Sequence, residues 1–276
     1  MSYKMLVSDI DGTLLNSNHQ LDDAICDAVE KAVENGKIVV LATGREYCGA
    51  AHIIEKLGLN THLICSNGAT IVDTKTGEEV YSKLISRDNA YKIIKACEKN
   101  KIYCRPNIDG VLYVHFDDPH YTFYTTMFGD DSTKNICGYS DIAPYMKEGC
   151  AIDQLSITVL EDTNINAFRE DINGLGVTLI ASNPVSYDII AEGTSKSEGV
   201  KFLAEAYNIS PEEIIAVGDN YNDICMIQYA GLGVAMENSV DDVKKEADLT
   251  CPSNDDHGVA KLIENILLKD MVSTNE

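Results

Sequence analysis

Three short apolar runs in the first 65 residues, at positions 4–8 (KMLVS), 37–42 (KIVVLA) and 62–65 (HLIC), each stop abruptly at polar or acidic residues, and helical patterning separates them. Runs this short and this apolar read as strands buried on both faces. Between the first two, Leu21, Ile25, Ala28, Val29, Ala32 and Val33 recur at helical spacing and Gly36 closes the pattern. Between the second and third, residues 47–57 carry another helix to Gly58. Strands alternating with helices in this way require right-handed βαβ crossovers and a parallel sheet. In such a sheet ligands bind beyond the carboxyl ends of the strands, so the residues that follow each run become the first place to look for chemistry.

The texture changes between residues 83 and 191. Short β-rich runs at 111–116, 155–160 and 177–181 lie between helical segments at 87–100 and 163–173, and Asn107-Ile108-Asp109-Gly110 is a hairpin-turn candidate. After Lys196 the first texture returns: a helix to Tyr207, strands at 214–217 and 232–235, and a last helix over 259–268 before a frayed tail at 270–276. The expected fold class is therefore α/β: residues 1–82 and 192–276 form a Rossmann-like core with a parallel sheet, and residues 83–191 form an inserted α+β domain.

Composition restricts the function classes. Lys and Arg together number 22 against 44 Asp and Glu, a formal charge of −22, so the average surface repels a nucleic-acid backbone. Any anionic substrate must be drawn in locally, by a metal ion or a few placed cations. No run of eighteen uncharged apolar residues occurs, and Asp9 interrupts the N-terminal stretch before a signal-peptide core can form. Nine cysteines without a CxxC pair fit small core side chains in a reducing compartment. The expectation is a soluble, cytoplasmic protein with no nucleic-acid or membrane partner, either monomer or homodimer.

Two acidic clusters fall at strand ends. Asp9 and Asp11 sit two apart after the first strand, and Gly12-Thr13 turn the chain away. A carboxylate is a competent nucleophile towards a phosphoryl group, and a second carboxyl can protonate the leaving oxygen and then activate water. Asp-Gly after a strand is also ordinary turn chemistry, so the pair alone does not decide. Asp219, Asn220, Asn222 and Asp223 follow Gly218 at an equivalent strand end and offer hard oxygen ligands of the kind Mg²⁺ takes. Thr43-Gly44-Arg45 opens a helix after the second strand, where a hydroxyl and free backbone N–H groups can hold an anion. Lys196 opens a later helix and could add a point charge. Arg45 is better placed to pair with a core carboxylate than to contact substrate. His19, His52, His62, His115 and His120 show no ligand spacing and read as surface or packed residues; His257, near the last core loop, is a weaker candidate to face the site.

In order along the chain, DIDGT at 9–13, ATGR at 42–45, Lys196 and GDNYND at 218–223 resemble the motifs of the haloacid dehalogenase superfamily. SNGA at 66–69, the large insertion, GVAMENS at 233–239 and HGVA at 257–260 resemble its Cof-type members with a C2B cap. The resemblance implies a Mg²⁺-dependent phosphatase working through an aspartyl-phosphate, with small phosphorylated metabolites, sugar phosphates first, as substrates. It implies Asp9 as nucleophile and metal ligand, and Asp11 as general acid/base that also meets the metal through its backbone carbonyl. Asp219 is then a direct ligand and Asp223 binds or orients the metal through its water shell. Thr43, Gly44, Lys196 and Asn222 hold the phosphoryl oxygens, with the amides of Ile10 and Asp11. A phosphotransferase or phosphomutase on the same scaffold, passing the phosphoryl group to a sugar hydroxyl, and a non-catalytic phospho-ligand sensor are the alternatives.

Overall fold

The computed structural model describes residues 2–122, 136–160, 163–183 and 185–269. Fourteen strands among these residues form two sheets. The first run becomes β1 (Met5–Ser8), the second β2 (Ile38–Ala42) and the third β3 (His62–Cys65), joined by α1 (Asp23–Glu34) and α2 (Tyr47–Leu57). Together with β12 (Ile214–Gly218), β13 (Leu232–Met236) and β14 (Leu249–Cys251) they make a parallel array in the order β14-β13-β12-β1-β2-β3. An antiparallel pair, β4 (Thr70–Asp73) and β5 (Glu79–Ser82), extends it at one edge.

Burial explains why these runs are continuously apolar. Leu6, Val39, Leu41 and Val217 pack on one face against Ile25, Val29, Ile53 and Leu57 of α1 and α2. Met5, Val7, Val40 and Ala216 pack on the other against Val200 and Leu203 of α5 (Lys196–Tyr207). Alternate residues of one strand thus feed two separate cores, and no residue of β1 faces water.

The chain leaves this sheet after β5 and returns to it with β12. Between them lies a second sheet, in the order β10-β11-β9-β6-β7-β8, from β6 (Tyr103–Ile108), β7 (Val111–His115), β8 (Ile136–Tyr139), β9 (Leu155–Thr158), β10 (Val177–Asn183) and β11 (Ser186–Ala191). The hairpin at 107–110 forms as read: Asp109 and Gly110 take φ of 53° and 74°, the left-handed values that a tight two-residue turn needs. One face of this sheet, through Cys104, Leu155, Ile157 and Ile189, packs on Ile93 and Ile94 of α3 (Arg87–Lys99) and Phe168 of α4 (Ile165–Asp171). By strict alternation the opposite face carries Arg105, Ser156 and Asp188, and the register lines them up, Arg105 against Ser156 and Ser156 against Asp188. The two chain connections run side by side, with Lys83 Nζ donating to the carbonyl of Gly193 at 3.2 Å.

Element ends shift by a few residues from the sequence reading. The helix read over 163–173 spans Ile165–Asp171, and the strand read over 155–160 ends at Thr158. The last helix is α only over α8 (Gly258–Leu262) and widens to a π turn over Ile263–Leu267, where the amide of Leu268 reaches the carbonyl of Ile263 and Ile263 and Leu267 both stay buried. The short α6 (Ile224–Tyr229) and α7 (Asp241–Glu246) complete the order. The tail at 270–276 lies outside the described residues. No helix among the described residues is long and apolar enough to cross a membrane.

Candidate active site

Every strand of the parallel array nearest its centre delivers a polar loop to the same end. Asp9 follows β1, Thr43 follows β2, Ser66 and Asn67 follow β3, and Asp219 follows β12. Parallel pairing forces this: strands that run the same way expose their carboxyl ends along one edge.

Asp9 is 6% exposed, and Lys196, the first residue of α5, donates Nζ to its Oδ1 at 2.5 Å and to Asp223 Oδ1 at 2.7 Å. Burial pushes the Asp9 carboxyl well above its ordinary range; Lys196 pulls it back, and Asp223 and Asp219 add to the push. Burial alone would lower the lysine, but Asp223 and Asp9 outweigh it and hold the ammonium charged. Asp223 is fully buried, and its Oδ2 accepts the amides of Asp219 and Asn220 at 2.9 and 3.0 Å. Its role here is to fix Lys196 and the turn that carries Asp219.

Asp219 receives the Thr13 hydroxyl on Oδ1 at 2.7 Å. Burial and the charge of Asp223 push its carboxyl up to about 6. Carboxylate oxygens of Asp9, Asp219 and Asp223 all lie within 4.8 Å of one another, a cluster of hard donors able to hold a divalent cation.

Asp11 points elsewhere. Ile10 between the two aspartates is driven into the core, which turns Asp11 towards Arg45. The guanidinium grips it in a two-pronged contact, Nε to Oδ2 at 2.7 Å and Nη2 to Oδ1 at 2.6 Å, with His19 Nδ1 at 3.6 Å. Burial works to raise the Asp11 carboxyl, but the Arg45 hydrogen bonds and charge prevail and keep it below the usual range. Arg45 therefore pairs with a core carboxylate as its position suggested. His19, read as a surface or packed residue, is at the surface, and its ring stands beside Asp11 at the rim of the site. His257 does not join it: its ring lies 3.3 Å from Asp22.

Asp9, Asp11, Thr43, Gly44 and Asn222 line a cavity of about 320 Å³, closed on its other side by the second sheet. Lys196 lies beneath its floor, 1% exposed. Thr43 Oγ1 accepts the amide of Arg45 at 3.1 Å in the bend before α2; the helix itself starts only at Tyr47, with Glu46 at its N-cap, so Thr43-Gly44-Arg45 do not open it as the sequence suggested. The sequence reading named no residue of the opposite wall. That wall comprises Arg105, Gln154, Ser156, Ser182 and Asp188, with Glu46 from the core beside them. Gln154 donates to the carbonyl of Gly44 at 3.1 Å, Asn220 to the carbonyl of Ser182 at 2.8 Å, and Ser66 to Asp153 at 2.6 Å, so the two sheets are stitched together around the cavity. Arg105 is held by the buried Asp118, Nε to Oδ2 at 2.9 Å.

Comparison with known proteins agrees with this arrangement. The haloacid dehalogenase-like hydrolase family matches residues 6–263. The stress response protein YhaX of Bacillus subtilis is 31% identical over 279 residues, covering 96% of this chain and 93% of its own. The phosphatase YwpJ of the same organism is 30% identical over 287 residues, covering 96% and 100%. A solved haloacid dehalogenase-like hydrolase from B. subtilis superposes with a TM-score of 0.84 at 27% identity, covering 96% and 100%. With carboxylates and a buried lysine gathered at the ends of a parallel sheet, and with these relatives, the chain belongs to the haloacid dehalogenase-like hydrolases and is a phosphatase of their Cof type.

Proposed function

We propose that the protein is a Mg²⁺-dependent phosphatase that hydrolyses small phosphorylated metabolites, sugar phosphates foremost, through a phosphoryl group carried on Asp9. The observation that carries the reading is Asp9 itself, held through one carboxylate oxygen by Lys196 at the floor of a 320 Å³ cavity. That volume is at the small end for ligand sites. The opposite wall offers hydroxyl, amide and carboxylate groups beside the Arg105 guanidinium and the aliphatic Leu112, and no aromatic ring lines the cavity among the described residues. Such a wall suits a hydroxyl-rich aliphatic leaving group better than a stacked base. Residues 83–191 act in this reading as a cap over a core of residues 1–82 and 192–276, excluding bulk water from the reaction.

The donor set fits magnesium. Asp9 and Asp219, with the backbone carbonyl of Asp11, would hold the ion, and Asp223 would orient its water shell. Burial and mutual repulsion raise the Asp9 and Asp219 carboxyls, a crowding of negative charge that a cation relieves. Bound there, Mg²⁺ would neutralise charge on the transferring phosphoryl oxygens.

Asp9 attacks phosphorus as the bond to the leaving oxygen breaks, and Asp11 gives that oxygen its proton. Water then attacks the phosphoryl group, Asp11 takes the water's proton, and Asp9 is released with inorganic phosphate. For the first step Asp11 must carry a proton, which it does once it leaves Arg45 for the leaving oxygen; having given that proton up it is the base of the second step, and the proton it takes from water restores the acid for the next turnover. Lys196, Thr43, Gly44 and Asn222 hold the phosphoryl oxygens, with the amides of Ile10 and Asp11.

The test is phosphate release from a panel of sugar phosphates, nucleotides and p-nitrophenyl phosphate, with Mg²⁺ or EDTA, beside Asp9→Asn. Mg²⁺-dependent release that the variant loses while keeping its fold is the expected result. Undiminished release by Asp9→Asn refutes the nucleophile assignment, and a sugar isomer formed without free phosphate refutes hydrolysis.

A further inference from the structure

Asn67 sits at the junction of the two sheets and has every polar atom of its side chain engaged. It is fully buried, at φ 54° and ψ 31°, a left-handed conformation that asparagine tolerates better than most residues. Its Nδ2 donates to Asp188 Oδ2 at 3.0 Å and to Gln154 Oε1 at 3.0 Å, both on the second sheet. Its Oδ1 accepts from Nδ2 of Asn222 at 2.9 Å, in the loop that also carries Asp219.

The direction of these bonds is set by chemistry. Asp188 as a carboxylate only accepts, and three donors converge on it: Ser156 at 2.7 Å, Ser182 at 3.0 Å and Asn67. The Gly44 carbonyl also only accepts, so Gln154 must give it Nε2 and turn Oε1 towards Asn67. Both partners therefore demand the NH₂ end of Asn67, which leaves its oxygen facing Asn222. Asn222 must answer with its own NH₂, one hydrogen to Asn67 and the other free to point into the cavity it lines. Packing leaves no slack: a Cβ on Gly44 would stand 3.3 Å from Asn67 Nδ2 and 3.6 Å from Asp188 Oδ2.

We propose that Asp188 and Asn67 are positioning residues that form a polarity relay, by which docking of the second sheet turns the amide of Asn222 donor-first towards the phosphoryl group. The inference rests on Asn222 as a phosphate contact in the function proposed above. The relay makes the anion site complete only when residues 83–191 are seated. It also gives Asp188 an effect on phosphate that a residue touching the leaving group alone would lack.

Inorganic phosphate has no leaving group, and so it separates the two roles. Its affinity in the presence of Mg²⁺, measured by calorimetry on the full chain, should fall about fivefold or more in Asp188→Ala, on the scale of one net hydrogen bond lost. Asn67→Asp sets acceptor against acceptor and should lose more. Adding Asp188→Asn to it restores a donor opposite the new carboxylate, and the double variant should recover most of the loss in both phosphate affinity and turnover of p-nitrophenyl phosphate. Unchanged phosphate affinity in Asp188→Ala overturns the relay, as does a double variant no better than Asn67→Asp. Should Asn67→Asp fail to fold, the Asp188→Ala measurement decides alone. Wild-type protein that binds phosphate in this pattern but releases none from any monoester sinks the phosphatase reading and leaves the relay standing; wild-type protein that binds no phosphate sinks both.

Discussion

Gly68 presses against the carbonyl of Ser195 so closely that a Cβ in its place would stand 2.1 Å from that oxygen and 3.3 Å from the amide of Lys196. The turn after β3 is thereby packed directly on the start of α5, whose first side chain runs to Asp9 and Asp223. The glycine's φ of +94° adds a second reason for its identity. Gly68→Ala should displace Lys196, lower turnover at least about tenfold and cost about 2–4 kcal/mol of stability through overpacking and backbone strain. Thermal denaturation and phosphate release check both, and a variant with unaltered turnover would show that Lys196 does not depend on this contact.

Asp219 is less committed to other partners than Asp223, with one hydroxyl on it where Asp223 carries a lysine and two amides. Asp219→Ala should raise the Mg²⁺ concentration for half-maximal activity at least about tenfold, the usual scale for loss of a carboxylate ligand or its support. The same variant should lose the Mg²⁺-induced rise in melting temperature that linkage predicts for the wild type. Identical Mg²⁺ titrations would remove Asp219 from the ligand set.

The Arg45 grip predicts a shift in a pH profile. Arg45 holds Asp11 below the usual carboxylate range against the effect of burial. In Arg45→Gln that restraint is gone and burial remains, so the Asp11 carboxyl should rise. The basic limb of kcat/KM, where it reports Asp11 as the acid that protonates the leaving oxygen, should move to higher pH by about one unit or more. A limb that stays in place would assign it to another group.

Asp153 lies where the second sheet meets Ser66 of the core, and burial, with Glu46 nearby, pushes its carboxyl up to about 6 although Ser66 pulls the other way. The native state therefore binds the proton more tightly than the unfolded chain, and stability falls as pH rises from about 4 to about 6, with the full cost present above that window. Asp153→Asn keeps an acceptor for Ser66 and removes the charge. It should be about 1–3 kcal/mol more stable than the wild type at pH 7.5 and gain nothing below about pH 4. Urea denaturation at several pH values checks this, and a gain that is the same at all pH values would exclude the titration of Asp153 as its source.

The large sheet was legible because its strands are buried on both faces and so leave unmixed apolar runs, and because the polar residues that follow them can be nowhere but at one edge. Asp9, Lys196, Asp219 and Asp223 meet there as the motif order implied, and Thr43, Gly44 and Asn222 line the same cavity. The wall from the second sheet left no comparable trace. Gln154, Ser156 and Asp188 alternate with buried Leu155, Ile157 and Ile189 as solvent-facing residues of any amphipathic strand would. Only the docking of one sheet on the other makes that face an interior one, and docking is a long-range property absent from local periodicity. The nearness of His19 to Asp11 was equally illegible: it depends on the loop from Asn16 to Gln20 folding back, held by the amides of Asn18 and Gln20 donating to Asn16 Oδ1.

The neck formed where Lys83 meets Gly193 has a consequence for how such a protein can change. Because the chain departs and returns at one point, the second sheet is joined to the large one covalently only there, its other links being non-covalent, and replacing it requires no rethreading of any strand. In the function proposed above, divergence could thus rewrite which molecule is recognised in one contiguous stretch of gene, while the residues proposed to break the phosphate bond stay encoded on either side of it.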